Sequence, residues 1–173
     1  LQTVCPFFVF AISLRKITIS YIIKMVIEKD KKGDFAMMVV FDPGVQHRIM
    51  VCVTPQKSCK RLIEKGAARA KEKDGQFAVI YVNNKTNLNR ELKEHKILLE
   101  LFELAKDFGG TVSILSGENV YATLAEFAKE NQITHIIVGK SLRSAFDIQK
   151  HGDIINPLIN AVDKMDITVE VVD

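Results

Sequence analysis

From Arg48 onward, short apolar runs alternate with longer amphipathic segments, and this alternation most narrows what the chain can fold into. Runs of four to eight β-branched and aliphatic residues suit buried strands, and apolar residues recurring every three or four positions suit helices laid on a sheet. Ile49–Val53, Phe77–Val82, Thr111–Leu115, Ile133–Val138 and Ile167–Val172 read as five strands. Between them, Ser58–Lys73, Leu88–Phe108, Glu118–Asn131 and Asp153–Lys164 read as four helices. In the second helix Leu98, Leu101, Phe102, Ala105 and Phe108 recur at helical spacing. Val120, Leu124, Phe127 and Ala128 form one face of the third, with Ser116 as its candidate N-cap, and Ile155, Leu158, Ile159 and Val162 face inward in the fourth.

Strands alternating with helices imply right-handed βαβ crossovers and a parallel sheet covered on both faces. Five strands and four helices fit a flavodoxin-like, doubly wound α/β sheet of order 3-2-1-4-5. Ligands of such sheets bind beyond the carboxyl ends of the strands, where the strand order reverses. In this order the reversal lies between the first and fourth strands. Thr54, Pro55, Gln56, Lys57 and Ser58 should therefore face Gly139, Lys140 and Ser141 across one crevice.

The second of those loops carries the most suggestive chemistry. After His135-Ile-Ile-Val138 the chain breaks at Gly139, and Gly152 opens the next helix thirteen residues later. Glycines without a Cβ let backbone N–H groups approach an anion, and a helix N-terminus adds free donors and partial positive charge. Lys140, Arg143 and Lys150 supply cations between them. An ordinary strand-to-helix connection would account for the same spacing. Gly139-Lys140-Ser141 imitates the end of a P-loop, but Thr134 stands where that motif needs its first glycine.

Composition sets the remaining bounds. With 173 residues, 47% hydrophobic and 26% charged, the chain can bury a sizeable core. Twenty-four basic and 21 acidic residues give a net charge of only +3, and no aromatic-interleaved basic stripe points to nucleic acid. Cys5, Cys52 and Cys59 form neither an even set nor a Cys-x-x-Cys pair, so a reducing, cytoplasmic setting is expected. Cys52 reads as a small core residue rather than a nucleophile. No Ser-His-Asp order, paired acid and base carboxylates or metal cluster emerges, and the expectation is a protein that is not an enzyme, with slow nucleotide hydrolysis as the most it would do. His151 adjoins the presumed crevice and reads as a solvated loop residue, while His135 starts a strand and His95 belongs to an exposed helix face.

Residues 1–46 stand outside the pattern and read as an N-terminal extension, with the domain over 47–173. The apolar runs Phe7–Leu14 and Ile17–Ile23 are split by Arg15 and Lys16, and neither approaches the roughly 20 residues of a membrane span. The extension is expected to be either functionless upstream sequence or a strand-forming packing arm, joined by the charged linker Lys29–Asp34.

The region Arg48–Asp173 resembles the universal stress protein family, and in particular the variant embedded in the sensor kinase KdpD. The resemblance is carried by Ile49-Met-Val-Cys-Val53, Thr54-Pro-Gln-Lys-Ser-Cys-Lys-Arg-Leu-Ile63, Ala67-Ala-Arg-Ala70, Phe77-Ala-Val-Ile-Tyr-Val82, Leu115-Ser-Gly117 and Ile136-Ile-Val-Gly-Lys140. It implies the α/β fold shared with adenine nucleotide alpha hydrolases. Family members that bind ATP carry Gly-x2-Gly-x9-Gly-Ser/Thr after the fourth strand and an aspartate after the first. Gly139 and Gly152 match the outer glycines, whereas Leu142, Asp153 and Thr54 replace the middle glycine, the Ser/Thr and the aspartate. Leu142 adds bulk and Asp153 negative charge, so the resemblance implies a site of altered chemistry for ATP or AMP. Some KdpD-type modules bind cyclic di-AMP, for which Lys57, Lys140 and Arg143 would be the phosphate donors and Tyr81 a base contact. Phe77 reads as core; Tyr81 is open to either role. The resemblance further implies a homodimer through the final strand, a possible sensor-kinase partner, and a chain that is a fragment or free-standing relative of such a sensor.

Two functional classes follow. One is a nucleotide-responsive regulatory module in stress or potassium signalling. The other is a ligand-independent, dimeric interaction domain whose phosphate loop has degenerated.

Overall fold

A computed structural model describes residues 41–83, 92–140 and 154–173. Most of the N-terminal extension, including the candidate arm, lies outside them, as do Ser141, Leu142, Arg143, Lys150, His151, Gly152 and Asp153.

Five strands form one all-parallel sheet: β1 (Arg48–Cys52), β2 (Gln76–Asn83), β3 (Thr111–Ser116), β4 (His135–Gly139) and β5 (Thr168–Val172). Their order is β3-β2-β1-β4-β5, the expected doubly wound order. β1 is the hinge of this arrangement. Cys52 registers with Ile80 of β2 on one side and with Val138 of β4 on the other. The helices are α1 (Lys60–Glu72), preceded by a 3-10 turn at Lys57–Cys59, α2 (Leu92–Asp107), α3 (Val120–Glu130) and α4 (Ile155–Val162).

The sheet is apolar on both faces, as a parallel sheet between helices must be. On one face Ile49, Val51 and Val53 join Phe77, Val79, Tyr81, Val112 and Ile137 in a cluster. Leu62 and Ile63 of α1 and Leu98, Leu101 and Ala105 of α2 close it. Alternate strand residues, among them Met50, Ala78, Ile80 and Ile136, are equally buried and point to the opposite face. There right-handed crossovers place α3 and α4, which pack on each other and bury Leu124, Phe127, Ala128, Leu158 and Val162. Phe108 lies just past α2 and is half exposed rather than buried.

Two local expectations need correction. Ser116 is the last residue of β3, and the N-cap of α3 is Asn119, whose side chain accepts from the Ala122 N–H at 3.3 Å. Ile133 does not begin β4. Its N–H donates to the Ala128 carbonyl, closing α3 through the left-handed Gln132, and the strand starts at His135. In both cases an apolar or hydroxyl residue close to an element boundary is claimed by the neighbouring element.

Residues 41–47, directly before β1, pack on the sheet end. Phe41 is buried with the Arg48 guanidinium 5.8 Å over its ring, and the Asp42 N–H donates to the Gln76 side-chain oxygen at 3.0 Å. Among the described residues, no helix is long and apolar enough to cross a membrane.

Candidate functional site

The reversal of strand order places the carboxyl ends of β1 and β4 side by side. Beyond β1, Val53 still donates to the Ile80 carbonyl at 3.0 Å, and the chain then turns. The Gln56 N–H reaches the Thr54 carbonyl at 2.7 Å and the Cys59 N–H reaches the Gln56 carbonyl at 3.0 Å, which winds the loop into the 3-10 turn and on into α1. Thr54, Gln56 and Lys57 are exposed, Pro55 and Ser58 half-buried. The Thr54 hydroxyl lies 3.7 Å from the buried Cys59 sulfur, so the loop is anchored to the core at that point.

This loop is electropositive. Lys57, Lys60 and Arg61 are all exposed around the start of α1, and its first turn holds no acidic residue. Cations at a helix N-terminus oppose the macrodipole and are mildly unfavourable there, whereas an anion is favoured. Lys60 has a distant carboxylate, Glu100 of α2, at 4.0 Å.

The opposing wall is Gly139 and Lys140. Gly139 is not in a left-handed conformation, so its lack of a side chain serves packing. A methyl group there would stand 3.1 Å from Leu62 Cδ1 of α1. Gly139 thus lets α1 close against the end of β4, which links the two loops mechanically. Lys140 continues the sheet, its N–H donating to the Val172 carbonyl of β5 at 2.7 Å. Its ammonium sits 3.0 Å from Asp173 Oδ1.

Thr54 through Ser58 and Gly139–Lys140 therefore share the switch end of the sheet. Tyr81 stands one residue past the Cys52–Ile80 register pair and is buried in the core cluster beside Val79 and Phe77. The rim also includes two polar residues that the sequence does not assign to the site. Asn83 and Ser116 end β2 and β3 in register, and the Gly117 N–H donates to the Asn83 carbonyl at 3.2 Å. Their signal was positional: each is the first polar residue after an apolar strand run.

Two titratable groups are placed by the fold away from catalytic use. Burial pushes the Cys52 thiol up to about 12, which keeps it protonated and poorly nucleophilic at neutral pH. His135 is at the amino end of β4, remote along the strand from the rim; burial and then the Arg69 charge lower its pKa. On β5, Glu170 accepts from Lys65 at 2.7 Å and from Arg69 at 3.4 Å, and these hydrogen bonds, Lys65 foremost, hold its carboxyl below the usual range. This bridge ties α1 to the edge strand.

No protein-family model matches the chain. A putative sensor protein KdpD from Synechocystis sp. is 26% identical over 126 residues, which is 73% of this chain and 34% of that protein. The sensor protein KdpD of Clostridium acetobutylicum is 26% identical over 130 residues, covering 75% of this chain and 14% of its own length. The chain thus spans about a third or less of these curated relatives. Among solved structures, a universal stress protein in complex with cAMP superposes with a TM-score of 0.56 at 16% identity, covering 75% of this chain and 98% of that one. A universal stress protein from Archaeoglobus fulgidus in complex with dAMP does so with a TM-score of 0.54 at 14% identity, over 75% and 99% of the two chains. The sheet order and helix placement of those proteins are the ones built above from the residues. The chain has the fold of the universal stress proteins and is similar in sequence to part of the KdpD sensor proteins.

Proposed function

We propose that this domain is a nucleotide-responsive regulatory module whose ligand lies in the switch crevice between β1 and β4. The observation that carries the reading is the meeting of two differently built walls at one end of the sheet. One is the cation-rich start of α1 behind Thr54–Lys57, which has no side-chain cap, and the other is the glycine end of β4 pressed on Leu62. Such a site offers backbone N–H groups and point charges to a phosphate and asks for no acid, base or nucleophile, so the proposed role is binding rather than catalysis. The nucleotides named in the solved relatives, cAMP and dAMP, support an adenine nucleotide as the ligand class. The kinship to KdpD supports a signalling role and makes cyclic di-AMP a ligand to test beside AMP and ATP.

A second reading is an interaction domain that works without ligand. Two observations favour it: Lys140 is already paired with Asp173, and β5 is the outer strand of the sheet among the described residues. Unpaired backbone groups on such an edge can accept a second copy of the chain.

The two readings separate in a thermal-shift and calorimetric titration of the full chain with AMP, ATP and cyclic di-AMP. A ligand at a hundred times its dissociation constant is expected to add about 2.7 kcal/mol of stability. A saturable shift with any of the three supports the nucleotide module and identifies its ligand. No shift with any of them, together with a concentration-dependent dimer, supports the interaction domain.

A further inference from the structure

We infer that Asp173 is a built-in counter-charge of the candidate site, one that an anionic ligand must displace before it can recruit Lys140. The inference rests on the nucleotide-binding reading and concerns how that site selects its ligands. Lys140 is the first residue beyond β4, and its backbone is fixed to β5 by the 2.7 Å bond to the Val172 carbonyl. The main chain therefore cannot carry the charge elsewhere, and only the side chain is free to swing. Its ammonium is held 3.0 Å from Asp173 Oδ1, on the β5 side of the rim. Both side chains are well exposed, at 67% and 84%. An exposed pair of this kind is weak and held by little besides mutual attraction. It is strong enough to bias where the ammonium sits and weak enough for a phosphate to break.

The consequence is selectivity. A ligand with a phosphate that reaches β4 exchanges one carboxylate partner of Lys140 for another anion and gains less than it would from a free ammonium. A ligand whose anionic group stays at the start of α1, near Lys57 and Arg61, loses nothing to Asp173. The size of the discount follows from the weakness of the pair: about two- to five-fold in dissociation constant for phosphates that need Lys140.

Calorimetric titration of the full chain with AMP and with inorganic pyrophosphate tests this. Four proteins are compared: wild type, Asp173→Asn, Lys140→Met and the double variant. Asp173→Asn is expected to tighten binding about two- to five-fold, and the gain is expected to vanish in the Lys140→Met background, as coupled residues require. Equal affinity of wild type and Asp173→Asn overturns the inference and leaves the nucleotide reading standing. A gain that persists without Lys140 also overturns it, because the effect would then be one of general charge. Binding by Asp173→Asn alone overturns the inference, because a pair this exposed cannot abolish binding and the wild-type chain would then have no ligand to displace it. Binding by none of the four overturns both.

Discussion

Replacing Ile137 with alanine is expected to destabilise the domain by about 2–5 kcal/mol, a large part of the stability of a domain this size. Ile137 is fully buried on β4, between Val51 of β1 and Glu170 of β5 in register. It belongs to the same cluster as Leu62 and Ile63 of α1, so the lost atoms leave a cavity beneath the helix that begins the candidate site. The surroundings can relax little, because strands hydrogen-bonded on both sides and a helix hold the position. Urea unfolding would show a lower midpoint with an unchanged slope. A cost below about 1 kcal/mol would mean that the interior at this point is loosely packed, unlike a native core.

Gly66→Ala is expected to destabilise as well, although alanine is the better helix former by about 1 kcal/mol. Gly66 is the buried glycine of α1, and a methyl group there would overlap the Val51 side chain, itself fully enclosed. Overpacking of this kind costs about 1–3 kcal/mol, which exceeds or cancels the gain in propensity. Gly44 is the natural control. It is exposed with open space around it, and Gly44→Ala should stay within about 0.5 kcal/mol of wild type. Stabilisation by Gly66→Ala in thermal unfolding would show that α1 does not approach the sheet as closely as the packing requires.

The contrast between these glycines marks the limit of what the sequence discloses. Period-2 and period-3.6 patterns make the five strands and their helices legible, and crossover handedness then narrows the topology to a few doubly wound sheets, one of which is the order observed. Gly66 inside α1 reads only as a weak helix position until the fold brings Val51 against it. Gly139 reads as a place where a phosphate could come close, and the space beside it turns out to hold Leu62. The Asn119 cap was missed because two short polar residues, Ser116 and Asn119, lie near one helix start. The choice between them depends on where β3 stops.

Charge pairing was the least legible. Glu170 meets Lys65 and Arg69 about a hundred residues away, and Lys140 meets Asp173 across the β4–β5 ladder. No local spacing encodes such contacts, since they exist only once strand order is fixed. For this reason the sequence could nominate Thr54–Ser58 and Gly139–Lys140 as one crevice, on topology, yet could not say that the Lys140 ammonium is already engaged.

Locating the ligand by amide chemical shifts tests the central claim most directly. On titration of the isotope-labelled chain with AMP, the largest saturable changes are expected at Thr54, Gln56, Lys57 and Cys59, and at Gly139 and Lys140 across the crevice. Saturable changes confined to another surface, such as the exposed side of α2, or no changes at millimolar AMP, would contradict the switch crevice as an AMP site.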